Sequence, residues 1–233
     1  MNDELTVLDL GMHDYEQVWR FQKGLVNRRI AEEIPDTLIL VEHLPVFTVG
    51  RAANLSPSPF PEGKGELPSL FRGGAGGEVF IVERGGDITF HGPGQLVGYP
   101  IIDLRERGRD VHRFLHDLEE LLILTLKDFE IDASRRAGFT GVWTGSKKIA
   151  SLGIAVRHWV SYHGFALNVS TDLRYFRMIH PCGLDGAVMT SMAEQLGREV
   201  SLAEVKPRLL EHWEEIFRSG DCKTNVTAIT PEY

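Results

Sequence analysis

RGGDITFHGPGQLVGYP, residues 84–100, holds five glycines and two prolines in seventeen residues, and the architecture turns on what they do. Glycine loses more conformational freedom on folding than any other residue, so a run this dense implies that something approaches the backbone closely. A phosphate-binding loop would read GxxxxGK[ST], and a dinucleotide fingerprint would read GxGxxG at the start of a helix. Neither pattern is present. Gly92-Pro93-Gly94-Gln95 runs instead into the apolar segment Leu96–Ile102, so no helix N-terminus is offered to an anion. The motif reads as strand–turn–strand, with strand 78–83 leading in and strand 95–103 leading out. Arg84, His91 and Gln95 place polar groups on a surface that the glycines leave open. A tight structural turn is the competing reading. Arg72-Gly73-Gly74 repeats the start of the pattern but lacks the His-Gly-Pro-Gly that follows.

Upstream, residues 5–10 read as a first strand. Residues 14–34 follow with Val18, Phe21, Leu25, Ile30 and Ile34 near helical period, stopped by Pro35-Asp36. TLILVE, residues 37–42, is a buried strand, and residues 46–49 form another. Residues 50–77 carry Gly, Pro and Ser without sustained period and read as a long surface loop. Downstream, Asp110 caps a helix to about residue 130, with Val111, Phe114, Leu115, Leu118, Leu121, Leu122 and Phe129 on its apolar side. Strands follow over 141–144, 148–156 and 159–169, the last two joined as a hairpin through Arg157-His158. Ser191–Glu194 and Ser201–Glu204 are two capping boxes, with Pro207 in the first turns of the final helix. The pattern predicts one α+β domain over residues 1–233, with a mixed sheet flanked by helices.

With 233 residues and 42% hydrophobic content, the chain can bury a sizeable core. A net charge of −8 argues against nucleic acid as a partner. No apolar run approaches the roughly 20 residues of a membrane-spanning helix. The acidic start MNDELTVLDL is unlike a secretory signal. The two cysteines, Cys182 and Cys222, lie far apart. A disulfide between them competes with the free thiols of a reducing cytoplasm, and the second is preferred. The three Asn-X-Ser/Thr sequons then carry no sugar.

Cys182 sits in HPCG, in a connection rather than an apolar run, and is either a small buried residue or a nucleophile. A free thiol is only a few per cent thiolate at neutral pH and needs a base or cation; candidates are His91, His163, His180 and Lys148. Strand alternation turns one of Lys147 and Lys148 inward without deciding which. His43 and His163 border strands and suit a core as well as a site. The nine histidines show no metal-ligand spacing, so no metal or cofactor is expected.

The segments EHLPVFTVGR (42–51), RGGDITFHGPGQLVGYP (84–100), GVW (141–143), KIASLG (148–153), HGFALN (163–168) and PCG (181–183) occur in this order. Together they resemble the lipoyl(octanoyl) transferase family over about residues 5–215. The resemblance implies a fold shared with biotin and lipoate protein ligases. It implies transfer of an octanoyl group from octanoyl-acyl carrier protein to a lysine of lipoyl domains, such as those of 2-oxoacid dehydrogenases and the glycine cleavage H protein. It also implies a monomeric cytoplasmic enzyme without ATP, and a dyad in which Cys182 is the nucleophile and Lys148 its proton partner. The glycine motif then becomes one wall of an acyl pocket. The expected substrate-binding set is Arg84, Gly85, Gly86, Asp87, Ile88, Thr89, Phe90 and His91, turns at Ser151-Leu152-Gly153 and Gly164-Phe165-Ala166, and His43 with His163. Backbone N–H groups of the two turns, or near Cys182, are candidates for an oxyanion site.

Three other readings compete: an ATP-dependent lipoate or biotin ligase, a non-catalytic acyl- or lipoyl-domain-binding protein, and a cysteine hydrolase. The GRGRxGR-like stretch of a biotin ligase is missing. Acidic partners meeting a chain of charge −8 would need a local basic patch, and Arg105, Arg107, Arg109 and Arg113 are the candidates.

Overall fold

The computed structural model describes residues 5–52, 78–179 and 188–217, and the strand 224–228. Strand β1 (Leu5–His13) leads through helix α1 (Tyr15–Ile30) to β2 (Asp36–His43), which lies parallel beside β1. Asp14 caps α1 by accepting the Gln17 N–H. The helix stops four residues short of the expected Ile34 because Glu32 takes a positive φ of 60°.

Strands β6 (Gln95–Ile101), β10 (Val160–Asn168), β9 (Lys147–Arg157), β8 (Phe139–Thr144) and β7 (Ser134–Arg136) continue the sheet, each antiparallel to the last. A strand at Thr224–Ala228, β11, pairs parallel with the outer edge of β1. The result is a mixed eight-stranded sheet, as the α+β reading requires. Strand alternation divides β2 between two cores. Leu38 and Leu40 pack under α2 (Val111–Lys127) and α4 (Leu202–Phe217), while Ile39 and Val41 face α1.

The glycine motif is more elaborate than one turn between two strands. The strand leading in, β4 (Glu78–Ile81), belongs to a second sheet of three strands with β3 (Val46–Val49) and β5 (Ile88–His91). Strand β5 lies inside the motif and was not expected. Gly92–Gln95 then closes a turn, with Gln95 N–H donating to the Gly92 carbonyl at 3.1 Å. Pro93 and Gly94 sit at its centre, and Gly94 takes φ 79°, the pattern of a type II turn. The turn passes the chain from the small sheet to the large one.

The β9–β10 hairpin turns at His158-Trp159, one residue later than expected, because both residues adopt positive φ and Arg157 pairs with Val160. Ser151–Gly153 and Gly164–Ala166 are not turns. They are cross-strand partners in the β9–β10 ladder, with Gly164 opposite Gly153 and Ala166 opposite Ser151. The loop that carries Asp172, Leu173 and Arg174 holds a 3₁₀ helix at Leu173–Met178, capped by Asp172. At α3 (Met192–Leu196) the capping box is half formed: Ser191 Oγ accepts the Glu194 N–H, but Glu194 turns to the Thr190 hydroxyl. The Ser201–Glu204 box is reciprocal. Residues 53–77 of the expected loop, and Cys182 and Cys222, lie outside the described residues.

Candidate active site

A cavity of about 510 Å³ opens between the glycine motif, β9, β10 and the start of α2, within the usual size range of small-molecule sites. Arg84, Gly85, Gly86, Asp87, Ile88, Thr89 and His91 form one wall. Ser151–Ile154 and His163–Ala166 form another, and Val111 and Leu115 of α2 face them with Gly138–Thr140.

The motif is held rigidly. Gly85 N–H donates to the Ile154 carbonyl at 2.9 Å, fixing the loop onto β9. The Arg51 and Ala52 N–H groups donate to the Arg84 and Gly86 carbonyls, fixing it to the end of β3. The Arg84 guanidinium is largely buried and donates to the Thr48 carbonyl at 2.6 Å, to Thr48 Oγ1 and to the Gly85 carbonyl. Arg84 therefore clamps the wall to β3 as well as lining the cavity.

Lys148 lies at one end of the β9 run and is only 6% exposed. Its Nζ donates to the Thr140 carbonyl at 2.8 Å and stands 5.8 Å from the centre of the Trp143 ring. Gly141 makes room for it. A Cβ there would sit 2.4 Å from Lys148 Cε and 2.7 Å from the Ala150 carbonyl oxygen. Lys147 points outward, its side chain 43% exposed and near Glu194. The structure thus resolves the choice that alternation left open. The described residues beyond Cys182 return to the same place: Met189 bridges to Lys148, and Thr190 N–H donates to the Lys148 carbonyl at 2.9 Å.

The other end of the run, roughly 20 Å along β9 at about 3.3 Å per residue, is lined by buried histidines and tyrosines. Ile154 there pairs with His163. His43 Nδ1 meets the His13 carbonyl and Nε2 meets the Tyr99 hydroxyl at 2.9 Å. His91 bonds Gln95 Oε1 at 2.7 Å and stacks on Tyr15. Burial pushes His91 down to about 3, with the His43 ring adding to the effect, and His43 down to about 4. Burial also lowers His163 and raises Tyr15 and Tyr99. Glu83, bonded to His163 and to the Trp19 indole, is held down at about 2. Near neutral pH these histidines are neutral, so His43 Nδ1–H donates and its Nε2 accepts from Tyr99.

Phe90 and His43 are the two members of the expected binding set that do not line the cavity. Phe90 alternates to the far face of β5 and stacks on Tyr175 at 4.3 Å. His43 stands behind Tyr99. Sequence reasoning missed Tyr15, Tyr99, Val111, Leu115, Gly138, Phe139, Thr140 and Ile154 as lining residues. Tyr99 lay inside the quoted motif but read as part of an apolar exit strand. Val111 and Leu115 read as core. The expected basic patch is partly consumed: Arg105 is bonded to Asp103 and Glu32, and Arg107 to the Phe217 carbonyl. Among the described residues no three His, Cys, Asp or Glu side chains gather as a metal site, and no helix is long and apolar enough to cross a membrane.

The sequence profile of the lipoyl protein ligase A/B catalytic domain matches residues 14–214. An octanoyltransferase of Syntrophotalea carbinolica is 43% identical, aligned over 92% of this chain and 95% of its own. An octanoyltransferase of Rubrobacter xylanophilus is 47% identical over 89% and 90%. A lipoate-protein ligase A crystal structure with bound ATP superposes with a TM-score of 0.70 at 16% identity, covering 99% of this chain and 90% of that one. Biotin protein ligase from Aquifex aeolicus superposes at 0.50 with 14% identity, covering 92% and 69%. The fold is thus that of the lipoate and biotin protein ligases, and the chain belongs to the lipoyl protein ligase A/B catalytic family, among its octanoyltransferases, as an acyltransferase.

Proposed function

We propose that the protein transfers an octanoyl group from octanoyl-acyl carrier protein to a lysine of lipoyl domains, through a thioester on Cys182. The observation that carries this reading is the buried Lys148, its Nζ donating to the Thr140 carbonyl at the edge of a 510 Å³ cavity. Ile88, Leu115, Leu152, Ile154 and Phe165 give that cavity an apolar lining. Burying eight carbons at about 0.8 kcal/mol each supplies roughly 6 kcal/mol of binding.

In the first half-reaction Lys148 takes the Cys182 proton, and the thiolate attacks the thioester carbonyl. A new S–C bond forms, the bond to the pantetheine sulfur breaks, and the proton passes to that sulfur. In the second, the neutral amine of the acceptor lysine attacks. A C–N bond forms, the Cys182 S–C bond breaks, and Lys148 carries the proton from the amine to the departing thiolate. The acyl group stays activated throughout, so no nucleotide is consumed. Register bears on the oxyanion. Because the Ile154 carbonyl reaches outward to Gly85, the backbone N–H groups of Leu152 and Ile154 face away from β10, on the edge that meets the glycine motif. They are the strand donors suited to a developing negative charge.

The test is transfer from octanoyl-acyl carrier protein to an isolated lipoyl domain without ATP. Transfer is expected. Transfer only with free octanoate and ATP would instead make the protein a ligase, and release of octanoate without an acceptor would make it a hydrolase.

A further inference from the structure

The buried face of α2 carries one acid that the apolar pattern does not explain. Glu119 is 6% exposed and shares a helix face with Leu115 and Leu122. Its Oε1 accepts the Gly141 N–H at 2.9 Å, and its Oε2 accepts Arg135 Nε–H at 3.2 Å. The Gly141 N–H and the Thr140 carbonyl belong to one peptide group, whose trans geometry points them in opposite directions. The carbonyl end is the group that accepts Lys148 Nζ at 2.8 Å. A carboxylate, a peptide and the Lys148 amino group are therefore joined in series. The N–H end of the peptide dipole faces the anion and the carbonyl end faces Lys148, so the series favours the ammonium that Lys148 becomes on taking a proton.

We propose that Glu119 is a positioning residue that holds the Thr140–Gly141 peptide and, through it, sets the orientation and proton affinity of Lys148. Arg135 does not cancel the carboxylate, because its Nη2 also serves Glu120 at 2.7 Å, leaving one guanidinium for two acids. Two further charges among the described residues are engaged elsewhere. Arg136 sits 4.8 Å over the Trp143 ring, and Lys147 turns to Glu194. The link to turnover rests on Lys148 acting as the proton partner; the link to its titration does not.

The experiment follows the Lys148 side chain by NMR in protein labelled with ¹³C at lysine Cε, its resonance identified by its loss in Lys148→Met. Glu119→Gln keeps an oxygen for the Gly141 N–H and removes the charge. The Lys148 midpoint is expected to fall by roughly half a unit or more. The lysine-dependent limb of the pH–rate profile should move with it, with KM for the carrier unchanged. Arg135→Gln, a change at a partly exposed residue, should move the midpoint upward. An unchanged midpoint in folded Glu119→Gln overturns the proposal, as does an unchanged or lowered midpoint in Arg135→Gln. If the midpoints move as expected but the unsubstituted protein transfers no octanoyl group, the relay stands and the transferase reading falls. If transfer occurs and the midpoints stay fixed, the relay falls alone.

Discussion

Lys148 depends on the space that Gly141 leaves beside it. Gly141 adopts φ 134°, and a Cβ there would meet both the lysine stem and the Ala150 backbone. Gly141→Ala should displace Lys148, lower the transfer rate by an order of magnitude or more, and cost roughly 1–3 kcal/mol of stability. Steady-state kinetics and thermal unfolding check this; wild-type rates in the variant would show that the lysine does not depend on that space. The sequence could not choose between Lys147 and Lys148 because Lys148, Ile149 and Ala150 are buried in succession. Both faces of β9 are covered there, so alternation carries no information. The acid at Glu119 was legible in principle, since a carboxylate between Leu118 and Leu122 breaks the apolar face of α2. Its partner was not, because Gly141 is 22 residues away in sequence.

Elements with a strong local signal were read closely from sequence. Residues 46–49 form the predicted strand, and Asp110 caps α2 by accepting the Arg113 N–H. The elements that were missed carry weak local signals or depend on distant partners. β7, Ser-Arg-Arg, has no apolar residue and exists through pairing with β8. β11 comes from a polar segment and completes the sheet only by lying beside β1. β5 was hidden within the glycine motif because its pairing with β3 spans the long connection between them. At the start of α4 the Ser201–Glu204 box satisfies donors at both residues. Ser201→Ala should cost about 1 kcal/mol, measured by chemical unfolding; no loss would mean that the box adds nothing beyond helix packing.

The whole molecule carries two opposing pH responses. His43 and His91 are buried neutral with folded values near 4 and 3, below their unfolded value. Their contribution is complete above about pH 6.5 and is lost as pH falls from there toward 4, by up to about 1.4 kcal/mol per pH unit for each. His212 runs the other way. Burial alone would lower it, but hydrogen bonds to Glu215 and to Asp128, just beyond α2, hold it above its ordinary value. Its contribution is complete below about 6.5 and is lost as pH rises through its folded value. Unfolding free energy against pH should therefore fall on the acid side with a slope that flattens in His91→Gln. His212→Gln should remove only the loss seen on the alkaline side. Slopes identical to wild type in both variants would contradict these assignments.

The proposed thioester on Cys182 is tested most directly by intact-mass spectrometry after incubation with octanoyl-acyl carrier protein, without ATP or acceptor. One octanoyl adduct is expected, retained in Cys222→Ser and absent in Cys182→Ala. An adduct that persists in Cys182→Ala would contradict the assignment of the nucleophile.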